Sequence, residues 1–532
     1  MIDRRSFLKG ITTAGAAVAL APRNAFSNIA RTMTPGLGVH PFVAAHPDAV
    51  FIMRTSVDVK TNAAALKAAG LAFGRSVFVA QDVTSGGFPL TGKIALKPNL
   101  TCRGTWNPNY TVERSMGIQT DAHFVEGMIE SLKEFGLSGS QFYIREVNCP
   151  VDFIDGGYIA MASRTGADIR DLSTQVGMLP EEHIQWKTVP SGTWFKRIPY
   201  LWPVNAPDTW LLNIAKLKTH SMGMTLCTKN IQGTIAANYQ QHCTVYSSDM
   251  NISATDVQTN AKTAILNTYN QHKTSIPRWD RPESNGGLWM ETWAARCLDN
   301  NSVTTAGLHI IEGVYGRDGN FMDGPGEGGI ATDYMTNVIV FGKNQYYVDI
   351  IGHYLGGHEP GNFGLFHLAR ERGLITHIDP AAVPVYDWTS GGPTLTPLTT
   401  FTRTPLLTPY LRKDYNGGTE AQWHLVNEPY DYSVSDVADE PRQVPEAMVL
   451  SQNYPNPFNA STMFQFTIPR TGRVRLDVHN ALGELVSIVA EGIYLGGTHM
   501  ATWTRNDVSS GLYVYRLWYE GQTASRKMIL IR

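Results

Sequence analysis

A chain of 532 residues with a formal net charge of -2 is long enough for several domains, two to four at roughly 100–200 residues each. Hydrophobic residues make up 43% and charged residues 17%, an ordinary globular balance that can bury a core. The near-neutral charge excludes binding to nucleic acid through a broadly basic surface. Beyond one short N-terminal run, no stretch reaches the ~20 apolar residues of a membrane span. None of Cys102, Cys149, Cys227, Cys243 and Cys297 lies in CxxC spacing. Zinc-ribbon and iron–sulfur signatures are therefore absent, and the odd count leaves at least one thiol unpaired within the chain.

The chain opens with Asp3-Arg4-Arg5-Ser6-Phe7-Leu8-Lys9, followed by a mild apolar run from Gly10 to Pro22. A cationic start, a short apolar core and small residues at Ala25 and Ser27 describe an export leader over residues 1–27. Adjacent arginines before Phe-Leu-Lys resemble the twin-arginine signal. That resemblance implies passage through the twin-arginine translocase.

Residues 33–430 alternate strand and helix signals. Apolar β-type runs fall at Ala49–Met53, Val77–Ala80, Lys93–Leu96, Phe142–Val147, Trp210–Ile214, His309–Glu312 and Val338–Phe341. Phe124, Met128, Ile129, Leu132 and Phe135 form one stripe of a helix over Asp121–Phe135, which Thr120 or Asp121 caps and Gly136 stops. Tyr347–Leu355 and Asn362–Arg372 are further helices. This alternation predicts an α/β fold with a mostly parallel sheet and flanking helices, and such sheets bind ligands at the carboxyl ends of their strands.

Polar residues gather at those ends. Lys93-Ile-Ala-Leu-Lys97-Pro98-Asn99 ends in Lys and Asn, and Phe142-Tyr-Ile-Arg145-Glu146-Val-Asn148 ends in an Arg/Glu/Asn cluster. Leu211-Leu-Asn213-Ile-Ala-Lys216-Leu-Lys218-Thr219-His220 ends in two lysines and a histidine, and the segment carrying Lys229 and Asn230 follows. His309-Ile-Ile-Glu312 ends in a carboxylate. A single lysine at a strand end is ordinarily solvated, so it is the joint occurrence that marks a site. Lys97, Lys216, Lys218 and Lys229 would attract a carboxylate or phosphate, and Asn99 and Asn230 would add directional hydrogen bonds. His220 would transfer a proton, with Lys218, Lys229 and Glu146 beside it. Glu312 and Asp349 are the expected ligands for a divalent metal. Catalysis requires Lys97, Glu146, His220, Lys229 and Asp349 to converge.

The glycine- and carboxylate-rich run from Gly313 to Gly329 holds Asp318, Asn320 and Glu327, but not in EF-hand spacing. No G-x-S-x-G elbow or P-loop is present, so a hydrolase triad has no support. The KPNL strand end, the KxKTH segment, the TxxxKNxxG segment, the IIEG strand end and Tyr347-Val-Asp349 resemble the DUF362 family, in its order, over most of Val50 to Leu374. The resemblance implies a fold and a site without implying a reaction. Relatives that carry iron–sulfur motifs are not matched in that respect. Residues 238–300, rich in Gln, Asn, Thr and Trp, depart from the pattern as an insertion.

A polar, proline-bearing linker spans 431–449. From Leu450 onward short alternating runs recur at Met463–Ile468, Arg473–Val478, Leu485–Val489, Thr498–Trp503, Leu512–Tyr519 and Arg526–Ile531. Their spacing predicts an antiparallel, Ig-like β-sandwich over 450–532. Asn453-Tyr-Pro-Asn-Pro-Phe458, Asn480-Ala-Leu-Gly-Glu484, Ser510-Gly-Leu-Tyr-Val-Tyr515 and Lys527-Met-Ile-Leu-Ile-Arg532 resemble the type IX secretion C-terminal sorting domain. That resemblance implies the type IX secretion machinery as a partner and the outer-membrane surface or the extracellular space as the destination. Two functions follow as expectations: an exported protein that binds or transforms a small anionic molecule with metal assistance, or a non-catalytic surface adhesion or envelope protein.

Overall fold

The computed structural model describes residues 34–100, 116–147, 156–170, 183–220, 223–236, 257–258, 260–272, 287–320, 323–408, 430–435, 448–453, 455–459, 461–469, 472–494, 497–504 and 508–531. The Arg4-Arg5 leader, Asn148 and three of the five cysteines lie outside them. Cys227 and Cys297 are both buried. The chain divides after Tyr430 into two compact units.

The first unit is built on one mixed sheet. Its strands are β1 (Val50–Arg54), β2 (Lys93–Pro98), β3 (Phe142–Ile144), β4 (Asp168–Ile169), β5 (Thr209–His220), β6 (Gly223–Thr225), β7 (Leu308–Arg317), β8 (Val338–Gly342), β9 (Val385–Thr389) and β10 (Gly392–Leu395). The main path runs β10-β9-β1-β8-β7-β5-β2-β3-β4. The stretch β7-β5-β2-β3-β4 is parallel throughout, while β8 is antiparallel to both β7 and β1. Parallel strands covered on both faces read as continuous apolar runs, and every residue of β7 is buried. Residues 77–80 depart from the expectation. Val77 ends a helix, and Phe78–Asp82 joins a separate small antiparallel sheet with Pro35–Val39.

One face of the sheet carries α1 (Ala63–Val77) and α2 (Ala122–Lys133). Asp121 caps α2, its Oδ1 accepting the N–H groups of His123 and Phe124 at 2.8 and 3.3 Å. The two helices cross at glycines. A Cβ on Gly70 would lie 2.0 Å from the Phe124 carbonyl oxygen, and one on Gly127 would lie 2.1 Å from that of Lys67. Gly127→Ala is therefore expected to lower stability by about 1–3 kcal/mol through overpacking against rigid backbone, read from the denaturant midpoint. The short helix α3 (Tyr158–Thr165) packs against α2. The other face carries the turn α4 (Cys227–Asn230) and α5 (Gln345–Leu355).

β5 and β7 run past the ends expected from sequence, to His220 and Arg317. Their polar tails are extended and buried because side chains across the sheet satisfy them, a pairing that apolar alternation does not show.

The second unit has two antiparallel sheets. One joins β11 (Val449–Leu450), β12 (Ser461–Ile468) and β15 (Gly497–Thr504) in the order β11-β12-β15. The other joins β13 (Gly472–His479), β14 (Leu485–Tyr494), β16 (Gly511–Tyr519) and β17 (Gln522–Leu530) in the order β14-β13-β16-β17. Phe464, Phe466 and Ile468 from the first sheet meet Val474, Leu476, Val478, Tyr515 and Leu517 from the second in one core. This is the sandwich expected from period-two alternation. The Asn453–Phe458 segment pins it. The Tyr515 hydroxyl donates to the Ser451 carbonyl at 2.7 Å and accepts the Asn453 N–H at 2.8 Å, while Asn456 Oδ1 accepts the Ile529 N–H at 2.9 Å.

Candidate functional site

Strand pleating assigns the polar residues to two faces, because side chains two apart point the same way. Lys97 follows Ala95, which packs in the core beneath Ile231 and Ala236. Lys216 follows Ile214 and Glu312 follows Ile310, and both apolar residues pack in the core beneath α1 and α2. The expected single cluster is therefore two buried ion pairs.

On the α4 face, Lys97 Nζ donates to Glu146 Oε2 at 2.7 Å, Asn230 Oδ1 at 2.9 Å and the Pro98 carbonyl at 2.7 Å. Asn230 Nδ2 returns to the Lys97 carbonyl and to Asn213 Oδ1. Glu146 also accepts the Leu100 and Val147 N–H groups. Burial pulls the Lys97 ammonium below its usual range, the Lys229 charge adds to this, and Glu146 opposes it. Gly233 makes the arrangement sterically possible, since a Cβ there would sit 2.1 Å from Glu146 Oε1.

On the α2 face, Lys216 Nζ donates to Glu312 Oε2 at 2.6 Å and lies 3.4 Å above the Tyr315 ring centroid. Both partners are fully enclosed. Glu312 also accepts the N–H groups of Asp121 and Val314. Tyr315 donates to Asp121 Oδ2 at 2.8 Å. Burial raises the Glu312 carboxyl, with Asp121 adding to it and Lys216 opposing. At Asp121 burial also pushes upward, but the bonds from His123 and Tyr315 and the Lys216 charge prevail and hold it below the usual carboxylate range.

Several expected roles are corrected by these contacts. Lys216 cannot take up substrate, because it is enclosed between Glu312 and Tyr315. Glu312 and Asp349 do not assemble as metal ligands. Glu312 neutralises Lys216, whereas Asp349 accepts the Cys227 and Thr228 N–H groups at 2.8 Å each, capping α4. Burial raises Asp349 to about 7 against those donors. Among the described residues no three His, Cys, Asp or Glu side chains are arranged to hold a metal. Asn99 Nδ2 bonds the Ile118 carbonyl, and its N–H bonds Thr120 Oγ1, so it fastens the strand end rather than facing a ligand. Asn230 is likewise spent within the Lys97 network.

Three of the expected residues remain in a common electrostatic neighbourhood. Lys218 and His220 lie at the buried end of β5. Burial drives the His220 imidazole well below its usual value, and the Lys229 and Lys218 charges push the same way. Lys229, half-buried at the end of α4, acts on both Lys97 and His220. The sequence marks Asp121 only as a helix cap, gives no role to Tyr158, Tyr315 or Asn213, and shows Gly233 only as the last residue of the TxxxKNxxG segment. Tyr158 donates to the Thr120 carbonyl at 2.9 Å. No local signal gives Tyr158, Tyr315 or Asn213 a role, since each matters through a partner far along the chain.

Residues 94–353 match the model of a domain of unknown function, DUF362, and residues 452–531 match that of the secretion system C-terminal sorting domain. Comparison with curated proteins returns no match. Among solved structures, a chain from the structural and functional probing of PorZ, an essential bacterial surface component of the type-IX secretion system of human oral-microbiomic Porphyromonas gingivalis, aligns at 12% identity. The alignment covers 18% of the present chain and 12% of the other, with a TM-score of 0.13. Among the described residues no helix is long and apolar enough to cross a membrane. The sorting domain directs type IX export to the outer-membrane surface or the extracellular space. The chain thus carries a DUF362-matching region over residues 94–353 and a type IX secretion sorting domain over residues 452–531 that directs it outward.

Proposed function

We propose that the central domain binds a small carboxylate- or phosphate-bearing molecule at the carboxyl ends of its parallel strands, with Lys229 and Lys218 as the anion contacts and His220 as the proton-transfer group. The observation that carries this reading is Lys229. It is half-buried and lies within electrostatic reach of Lys97 and His220, and among the described residues no carboxylate pairs with it. A partly desolvated ammonium beside a neutral imidazole is stabilised by an incoming anion. The Lys97–Glu146 pair and the Asp349 cap are positioning elements that hold the α4 turn. A divalent metal enters this reading only as a companion of the anion. The Arg4-Arg5 leader supports export beginning at the twin-arginine translocase.

Binding an anion would favour the protonated form of His220, so affinity is expected to rise as pH falls below the usual histidine range toward the lowered value that burial imposes on this imidazole. Isothermal titration of the full chain with inorganic phosphate, and then with a dicarboxylate, tests this. Lys229→Ala is expected to weaken binding by about tenfold or more, the size of one charge-assisted contact, while leaving the melting temperature unchanged. Equal affinity in the variant, or no pH dependence, would favour the reading of a non-catalytic surface protein.

A further inference from the structure

The outer face of the β14-β13-β16-β17 sheet holds a groove of about 690 Å³. Residues that point inward from β13 and β16 already supply the sandwich core. The outward row is a separate matter. Arg475 stands directly opposite Glu491 on one neighbouring strand and Trp518 on the other. Trp518 is 42% exposed. Arg473 leans toward Glu491 at 3.7 Å, and its N–H is held by Glu520 Oε1 at 2.8 Å. Arg475 Nε lies 3.3 Å from Asp477 Oδ2.

We propose that this groove binds a neutral saccharide chain, with Trp518 as the stacking platform and Arg475 and Glu491 as its polar contacts. The lining decides the chemical class. It sets the guanidiniums of Arg473 and Arg475 against the carboxylates of Asp477, Glu491 and Glu520. Such a lining offers no net positive field to a polyanion. It presents donors and acceptors side by side around an apolar indole face. A sugar ring has the complementary surface: hydroxyls that both donate and accept around its rim, and an apolar C–H face that covers the indole. An apolar platform with a few convergent polar groups is the usual form of a small-molecule subsite. The inference is independent of the anion site in the central domain.

Affinity gel electrophoresis of the full chain tests it, with a neutral β-glucan, a neutral mannan and polyanionic alginate cast in separate gels. Retardation by at least one neutral polysaccharide is expected. Trp518→Ala should weaken it by about tenfold, as for an aromatic hot spot, and Trp518→Phe should retain part of it. Glu491→Gln is a second variant that spares the core and should also weaken binding. Thermal melting of each variant at the parent temperature shows that the sandwich is intact. The proposal fails if neither neutral polysaccharide retards the chain, if retardation survives both Trp518→Ala and Glu491→Gln, or if alginate retards it more strongly than the neutral polymers do.

Discussion

Lys216→Met is expected to destabilise the central domain by about 3–5 kcal/mol, the cost of leaving a buried carboxylate without its partner. Domains are stable by only about 5–15 kcal/mol, so this is a large fraction of the total. The geometry makes the effect specific. Glu312 and Lys216 are fully enclosed, and the lysine is held at 2.6 Å from the carboxylate and 3.4 Å above the Tyr315 ring. The stranded Glu312 would escape part of the cost by binding a proton, and burial already raises its pKa. The variant should consequently lose less stability at pH 5 than at pH 7. Replacing both members, Lys216→Met with Glu312→Leu, should recover most of the loss, because it removes the desolvation cost of two ions together. Urea unfolding of the two variants at both pH values checks this. A double variant no more stable than the single one would show that Glu312 also serves the Asp121 and Val314 N–H groups in a way that packing cannot replace.

Acid should unfold the central domain well before ordinary carboxylates are protonated. His220, His309 and His353 are all buried and neutral. Burial holds His309 and His353 at about 3, with Lys343 adding at the first and His358 at the second. His220 is driven the same way by burial and by the Lys229 and Lys218 charges. A histidine with a lowered folded-state pKa binds its proton in the unfolded chain first, so stability falls as pH drops below the unfolded value of about 6.5. Asp349 and Glu312 oppose this, since their raised carboxyls take up protons in the folded state before the unfolded chain does. Three histidines against two carboxyls leave about one net proton. The expected slope is about 1.4 kcal/mol per pH unit between pH 6 and pH 5. His353→Phe should flatten it by about one proton. That ring already packs against Phe363 and Phe366, and its Nε2 has no hydrogen-bond partner among the described residues. A slope unchanged in His353→Phe would place the acid sensitivity elsewhere.

The sandwich strands were legible because their signal is local. Val474, Leu476 and Val478 alternate with Arg473, Arg475 and Asp477, and one face of a strand must be buried. The helix over 122–133 was legible for the same reason, from its apolar stripe and the Asp121 cap. The parallel strands showed as apolar runs, but their polar ends were cut short, since nothing nearby tells that Lys216 or Glu312 is still inside the sheet. The candidate site was legible as a list of residue types and only partly as an arrangement. Asp349 was drawn into it by its charge, whereas its contacts are backbone N–H groups at the start of α4.

The amino-acid sequence by itself determined the alternation of elements in the central domain, the period-two sandwich and the export address, because each is encoded within a few residues of its own position. Tertiary structure alone decided which lysines are neutralised and which face of the sheet each one occupies. Lys97 meets Glu146 across 49 residues and Lys216 meets Glu312 across 96. Those partnerships depend on strand register and pleat, and a shift of one residue would send every side chain to the opposite face.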